Sequence, residues 1–228
     1  MAAILRAVEI TKDYGSNRQK KVLEKTNFMV EKGTIHVIEG KSGSGKSTFL
    51  SIIGGMEFPT SGKVYYQHES LYELSDAKQS LIRGEKFGFV FQSFQLIPEL
   101  TVYENIELPL KFQKKKEFDL KAKIKELANE LGIVHHLDKR PSFLSGGEQQ
   151  RAAIARALIT EPDILFADEP TGNLDQITTK SIVNLLIKLN KDKNLSLVIV
   201  THETNLFPTP HYLYSMKDGV LKGIKSNV

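Results

Sequence analysis

Apolar positions in the N-terminal part of the chain come in short bursts. Ile4–Ile10 and Val22–Val30 hold them at strand density, Ile35–Glu39 is an apolar run ending on a carboxylate, and Lys63–Tyr66 and Phe87–Phe91 repeat the type. Runs of this length, broken by turn residues such as YGSN from Tyr14 to Asn17, predict β-strands. A glycine-rich loop follows Ile35–Glu39, and a helix is predicted from that loop through Ile53. The pattern then changes. Val102–Leu110, Asp119–Leu131 and Gln149–Ile159 read as helices; in the second, Ile124, Leu127, Ala128 and Leu131 recur at helical spacing. Alternation resumes with a buried strand at Ile164–Ala167, a helix at Thr178–Leu189 and another buried strand at Leu195–Val200. The whole predicts an α/β core with a strand-rich N-terminal section and a helical insertion near residues 93–149.

Composition changes this picture little. The 228 residues suit one domain carrying a smaller subdomain. A net charge of +4 is too weak to argue for nucleic acid. The absence of cysteine excludes disulfides and thiolate metal sites. MAAILRAVEI makes a poor secretory leader, because Glu9 closely follows a very short apolar run. No run approaches the ~18 apolar residues of a membrane helix, so action on a membrane requires a span from another chain. The charge run KFQKKKEF, Lys111 to Phe118, reads as a solvated face.

Chemistry concentrates in GKSGSGKS, Gly40 to Ser47. It matches G-x-x-x-x-G-K-[ST] in full, between a predicted strand and a predicted helix. Gly40, Gly43 and Gly45 let backbone N–H groups turn inward around an anion, with Ser42 and Ser44 in the same loop. The helix that follows adds its positive end. Lys46 can reach β- and γ-phosphates, Ser47 can ligate Mg²⁺, and Thr48 can help on a neighbouring phosphate. DILFADEP, Asp163 to Pro170, supplies the acidic partner. Side chains alternate along a strand, so Asp168 and Glu169 take different tasks: Asp168 on Mg²⁺, Glu169 toward the attacking water as general base or orienter.

LSGGEQQR, Leu144 to Arg151, forms a capping box in which Ser145 caps and Glu148 reaches back. Gly146 and Gly147 weaken the helix they open, by roughly 1 kcal/mol each in an interior. Close approach of a ligand is the natural reason for bare backbone there. With this motif the chain resembles the ATP-binding-cassette (ABC) ATPases, over nearly its whole length and in order. GKSGSGKST resembles the Walker A loop, Gln92 after FGFVF the glutamine that connects nucleotide to membrane partner, and LSGGEQQR the signature motif. ILFADEP resembles Walker B, GNLD from Gly172 to Asp175 the D-loop, His202 in VIVTHE the switch histidine, and Tyr14 in KDYG the aromatic that stacks on adenine.

The resemblance implies a P-loop NTPase core, residues 1–92 and 150–228, with an N-terminal antiparallel β-subdomain. It also implies an inserted α-helical subdomain, residues 93–149, ending on the signature motif. It implies ATP hydrolysis with Mg²⁺ held by Ser47, Asp168 and Gln92. Two chains then pair head to tail, so that Ser145, Gly146 and Gly147 close on the γ-phosphate held by the other chain, with Asp175 contacting across the pair. His202 contacts the γ-phosphate and helps position Glu169 and water. An integral membrane permease subunit is implied as partner, which places the chain on the cytoplasmic face of the membrane.

FQSFQLIPELTVYENIELPL, Phe91 to Leu110, resembles the subgroup of lipoprotein-release, macrolide-efflux and cell-division ATPases, with antibiotic-peptide exporters close by. Export, lipid extraction or mechanical signalling is therefore the expected output. A low-turnover scaffold is the alternative; a soluble cassette acting on DNA or ribosomes ranks far below it, because the chain has one cassette and no long heptad insertion. Three departures from the family pattern stand out. Lys41 replaces a frequent proline, Glu203 a frequent aspartate, and Pro208 and Pro210 in LFPTP argue against a long helix where relatives place one.

Overall fold

The computed structural model describes residues 3–15, 20–113, 119–209 and 211–224. Ser16 and Asn17 of the predicted turn, residues 114–118 of the charge run, and Pro210 lie outside them. A long antiparallel pair, β1 (Ala3–Tyr14) and β2 (Lys20–Glu31), opens the chain. With β4 (Ser61–Tyr66) and the short β5 (Glu69–Ser70) it makes an antiparallel sheet of order β2-β1-β4-β5. The second sheet gathers β3 (Ile35–Glu39), β6 (Phe87–Phe91), β7 (Ile164–Asp168), β8 (Ser196–Thr201), β9 (Tyr212–Lys217) and β10 (Val220–Ile224). Its order is β10-β9-β3-β8-β7-β6, parallel from β9 to β6 with β10 antiparallel at the edge.

The parallel strands are apolar almost throughout because both faces are covered. Neighbouring residues on one strand serve opposite layers. Ile38, Phe166 and Val200 pack toward the antiparallel sheet, with Leu5, Ile10 and Phe49. Val37, Leu165 and Ile199 face the other way, onto a helical layer that includes Ile106, Ile124, Ile154 and Leu186. Those four lie on α3 (Val102–Lys111), α4 (Leu120–Glu130), α5 (Gly146–Leu158) and α6 (Gln176–Lys193). Strict pleat alternation thus feeds two cores from one sheet. α1 (Lys46–Ile53) lies on the antiparallel-sheet side, with Phe49, Leu50, Ile52 and Ile53 buried.

The register sets up the site. Glu39 pairs with Thr201, Asp168 with Val200, and Phe91 with Asp168, so the carboxyl ends of β3, β8, β7 and β6 come out nearly flush. Loops leaving them share one crevice, where ligands of open parallel sheets sit.

Two elements were not legible in the apolar pattern: α2 (Asp76–Lys86), capped by Ser75, and the β9–β10 hairpin about the Lys217–Gly219 turn. No helix forms over residues 202–209, as Pro208 leads one to expect. α5 runs without a break across residues 149 and 150. No helix of the described residues is long and apolar enough to cross a membrane.

Candidate active site

The loop between β3 and α1 is built around its own lysine. Lys46 is 4 % exposed, and its Nζ donates to the carbonyls of Gly40 at 2.7 Å and Lys41 at 3.1 Å. Gly40 donates its N–H to Thr201 O at 3.1 Å, and a Cβ on it would lie 2.4 Å from Met216 O. Gly45 sits at φ +104 with Val22 O 2.8 Å from where a Cβ would be, so glycine is required there. The Ser44 side chain is buried inside the loop, and its hydroxyl has no partner among the described residues. A buried, unpaired donor beside an ammonium at a helix N-terminus fits a phosphate chain.

Asp168 ends β7 at the foot of this loop. Burial pushes its carboxyl above the usual range; the Ser47 hydroxyl bonded to it pulls the other way, Glu169 adds to the rise, and Lys46 opposes it. A cation at that point offsets the burial. Among the described residues no group of three His, Cys, Asp or Glu could hold a metal. Ser47 and Asp168 therefore form a partial, all-oxygen set. Such a set suits Mg²⁺, which keeps waters and phosphate oxygens as its other ligands.

Glu169 turns away from that pair. Its backbone is left-handed, φ 47, at a strain of about 1–2 kcal/mol, and its N–H is held by Val200 O at 2.9 Å. This bend sends the side chain toward β8. Oε2 lies 2.8 Å from His202 Nδ1 and Oε1 3.6 Å from Lys46 Nζ. Two residues that sequence reasoning did not assign brace the neighbouring loops. Buried Thr171 donates its hydroxyl to Glu203 Oε1 at 2.9 Å, and Glu203 N–H donates to Thr201 Oγ1 at 3.0 Å.

Gln92 lines the same crevice, with Ser47, Asp168, Glu169 and His202. Its amide is engaged elsewhere: Nε2 donates to Asn173 Oδ1 at 3.3 Å, and Asn173 Nδ2 returns a bond to Gln92 O at 3.0 Å. Gly172 leaves room for it, since a Cβ there would meet Gln92 Nε2 at 2.8 Å. Asn173 was not singled out in the sequence. Beyond Gln92, Phe94 and Gln95 both take positive φ, 59 and 50. Arg156 of α5 holds their carbonyls, donating to Phe94 O at 3.0 Å and to Gln95 O at 2.5 Å. Burial lowers the pKa of this guanidinium.

Tyr14 closes β1 beside the glycine loop, in a hollow shared with Val22, Gly43, Lys46 and Thr48. The residue is 40 % exposed. The hydroxyl donates to Glu57 at 2.5 Å, and Lys12 Nζ sits 5.0 Å from the ring centroid. Burial first, then Glu57, raises its pKa. A ring fixed at its edge, with open surface, can accept a flat partner.

The capping box of α5 forms. Ser145 Oγ accepts from Glu148 N at 3.4 Å, while Ser145 N–H donates to Glu148 Oε2 at 2.7 Å. Ser145, Gly146 and Gly147 are absent from the described residues that line their own chain's crevice. The structure adds a reason for the glycines besides ligand approach: a Cβ on Gly147 would lie 2.6 Å from Thr178 Cγ2, and one on Gly146 3.2 Å from Leu174 Cδ2. Asp175 caps α6, accepting from the N–H groups of Ile177 at 2.9 Å and Thr178 at 3.0 Å. The Thr178 hydroxyl first, then its N–H, holds this carboxyl below the usual range.

An anion cradle leading into a helix, at the carboxyl edge of a parallel sheet and facing carboxylates from β7, one strand removed beyond β8, defines the class: a P-loop nucleotide hydrolase. The chain belongs to the ABC transporter family, whose profile matches residues 23–172, and it is one of that family's ATP-binding, ATP-hydrolysing subunits. It is 45 % identical over 98 % of its length to 98 % of the lipoprotein-releasing system ATP-binding protein LolD of Aquifex aeolicus. To the ABC transporter ATP-binding protein YtrE of Bacillus subtilis it is 41 % identical, covering 92 % of this chain and 90 % of that one. Among solved structures, the MJ0796 cassette, a dimer in a post-hydrolysis state with ADP and Pi, superposes with a TM-score of 0.87 at 37 % identity, over 97 % of this chain and 99 % of that one.

Proposed function

We propose that two copies of the chain hydrolyse ATP as a head-to-tail pair on the cytoplasmic face of a membrane, driving a separate permease-type protein. Residues 1–92 and 150–228 form the nucleotide-binding body, and residues 93–149 the helical subdomain that carries the signature motif to the partner. The backbone of Gly40, Gly43 and Gly45, with Ser42, Ser44 and Thr48, wraps the phosphates. Lys46 exchanges its carbonyl partners for phosphate oxygens, and Tyr14 stacks on the base. Ser47 and Asp168 hold Mg²⁺, joined by Gln92 once it leaves Asn173; the ion neutralises phosphate charge. Water attacks the γ-phosphorus, the bond to the β-phosphate's bridging oxygen breaks, and ADP and phosphate leave. Glu169 orients the water and takes its proton, and His202 holds Glu169 and contacts the γ-phosphate. Ser145, Gly146 and Gly147 of the second chain complete the donors around the transferred group, and Asp175 contacts across the pair.

The observation that carries this reading is the place of Ser145: a capped helix start with bare backbone that does not line its own chain's crevice. The MJ0796 cassette is dimeric, and the named LolD relatives belong to a lipoprotein-releasing system. Lipid-anchored or mechanical cargo on a separate membrane protein is the output most in keeping with them.

The test mixes Lys46→Ala chains with Ser145→Arg chains. Each variant alone should be inactive. The mixed pair holds one site missing both elements and one site complete, and should regain part of the turnover. Turnover at the wild-type rate by a strictly monomeric preparation would overturn the reading. Co-purification of a membrane subunit from detergent-solubilised cells tests the permease partner.

A further inference from the structure

We infer that His136 is a positioning residue for Ser145, acting through Glu148; the inference rests on the reading of Ser145 as the contact to the partner chain's nucleotide. His136 ends the short 3₁₀ turn Val134–His136, ahead of the signature motif. Its Nε2 lies 3.1 Å from Glu148 Oε1. The other carboxylate oxygen, Oε2, accepts from both the N–H of Ser145 at 2.7 Å and its hydroxyl at 2.8 Å. Glu148 is thus gripped from two sides, the imidazole on one oxygen and the cap on the other. His136 Nδ1 is buried with no partner among the described residues. The tautomer with its proton on Nε2 therefore fits best and aims that proton at Glu148.

The chemistry of the cap explains why such a grip matters. A serine hydroxyl has one proton. While it points at Glu148 it cannot also point at a phosphate. Glu148 moreover brings negative charge to a helix start meant to meet an anion. A donor on Oε1 draws off part of that charge and lessens the carboxylate's hold on the hydroxyl. The Ser145 proton can then turn outward while its N–H stays on Oε2 and keeps the helix capped. The Glu148 carboxyl is held below the usual range mainly by Ser145's N–H and hydroxyl, with His136 and Lys139 adding to the effect against burial. A salt bridge that only decorated the surface would leave the cap indifferent to His136.

The experiment is a double-mutant cycle on the full chain: His136→Ala, Glu148→Gln and both together, read by turnover at saturating ATP and by single-chain affinity for a fluorescent ATP analogue. His136→Ala should lower turnover about fivefold, the size of coupling expected between residues in contact, with affinity unchanged. In the Glu148→Gln background the same change should have no further effect, because the charge it relieves is gone. His136→Arg, which restores a donor, should recover turnover. Wild-type turnover in His136→Ala overturns the inference, as does an equal fivefold loss in both backgrounds. Should His136→Ala fold poorly, His136→Leu, closer in volume and without a donor, carries the same cycle, and a loss there equal in both backgrounds overturns it too. Ser145→Arg separates the levels. If it keeps full turnover, the reading of Ser145 itself fails; if it is inactive while His136→Ala is normal, only the role of His136 fails.

Discussion

Glu169 and His202 meet across two strands: His202 Nδ1 lies 2.8 Å from Glu169 Oε2, at the ends of β8 and β7. Glu169 reaches it only because its own backbone is bent into the left-handed region, while Asp168, one residue earlier, stays in the strand. One peptide bond thus separates a candidate metal ligand from a candidate water-handling carboxylate.

Glu169→Gln keeps the shape and removes the base. Steady-state turnover is expected to fall about a hundredfold or more, and ATP should now hold the chain as a dimer on gel filtration. Unchanged phosphate release would remove Glu169 from the chemistry.

Lys46 is curled onto the carbonyls of Gly40 and Lys41. Lys46→Ala should abolish the stabilisation that ATP gives. At a hundred times Kd, wild type should gain about 5–10 °C in Tm, and the variant little or nothing. A scanning fluorimetry titration with ATP and MgCl₂ decides it.

Gly147 can be given two separable tasks. Gly147→Ala should lower stability by about 1–3 kcal/mol through the clash with Thr178 Cγ2. Adding Thr178→Ser removes that methyl and keeps the hydroxyl that bonds Asp175. The double variant should recover its urea midpoint but not its turnover. Recovery of both would leave Gly147 with packing alone to explain it.

His36 lies in β3, stacked on Tyr212 with ring centroids 4.9 Å apart and 2.8 Å from the Thr34 hydroxyl. Burial lowers its pKa to about 4 from an ordinary 6.5. Between those values the unfolded chain binds a proton that the folded chain refuses. Stability from this residue is therefore fully present above pH 6.5 and falls as pH drops toward 4, by about 3 kcal/mol in all. Urea unfolding at stepped pH should show a shallower slope for His36→Phe than for wild type; parallel curves would contradict this.

The strands that carry the site were legible because they are buried on both faces. Ile164–Ala167 and Leu195–Val200 read as continuous apolar runs, and the structure moves their ends by only a residue. α2 was missed for the opposite reason: among its residues only Gln79 is buried, so no apolar stripe announces it, and the Ser75 cap was its one signal. β9 was missed because its positions are mostly half-buried and show no alternation. In the site, motif spacing picked out Lys46, Asp168 and Glu169. Thr171 and Asn173 escaped, since their importance lies in contacts to Glu203 and Gln92, far away in the chain. The clash that keeps Gly147 bare is likewise tertiary, and no local pattern encodes it.

Ser145 caps the start of α5, and eleven residues later Arg156 of the same helix grips the carbonyls behind Gln92. At 1.5 Å per residue the two ends stand roughly 16 Å apart on one stiff rod. A tug on the stretch after β6 is therefore delivered, with little slack, to the Ser145 tip, the end proposed above to meet a second chain, much as a rocker arm passes the lift of a cam to a valve.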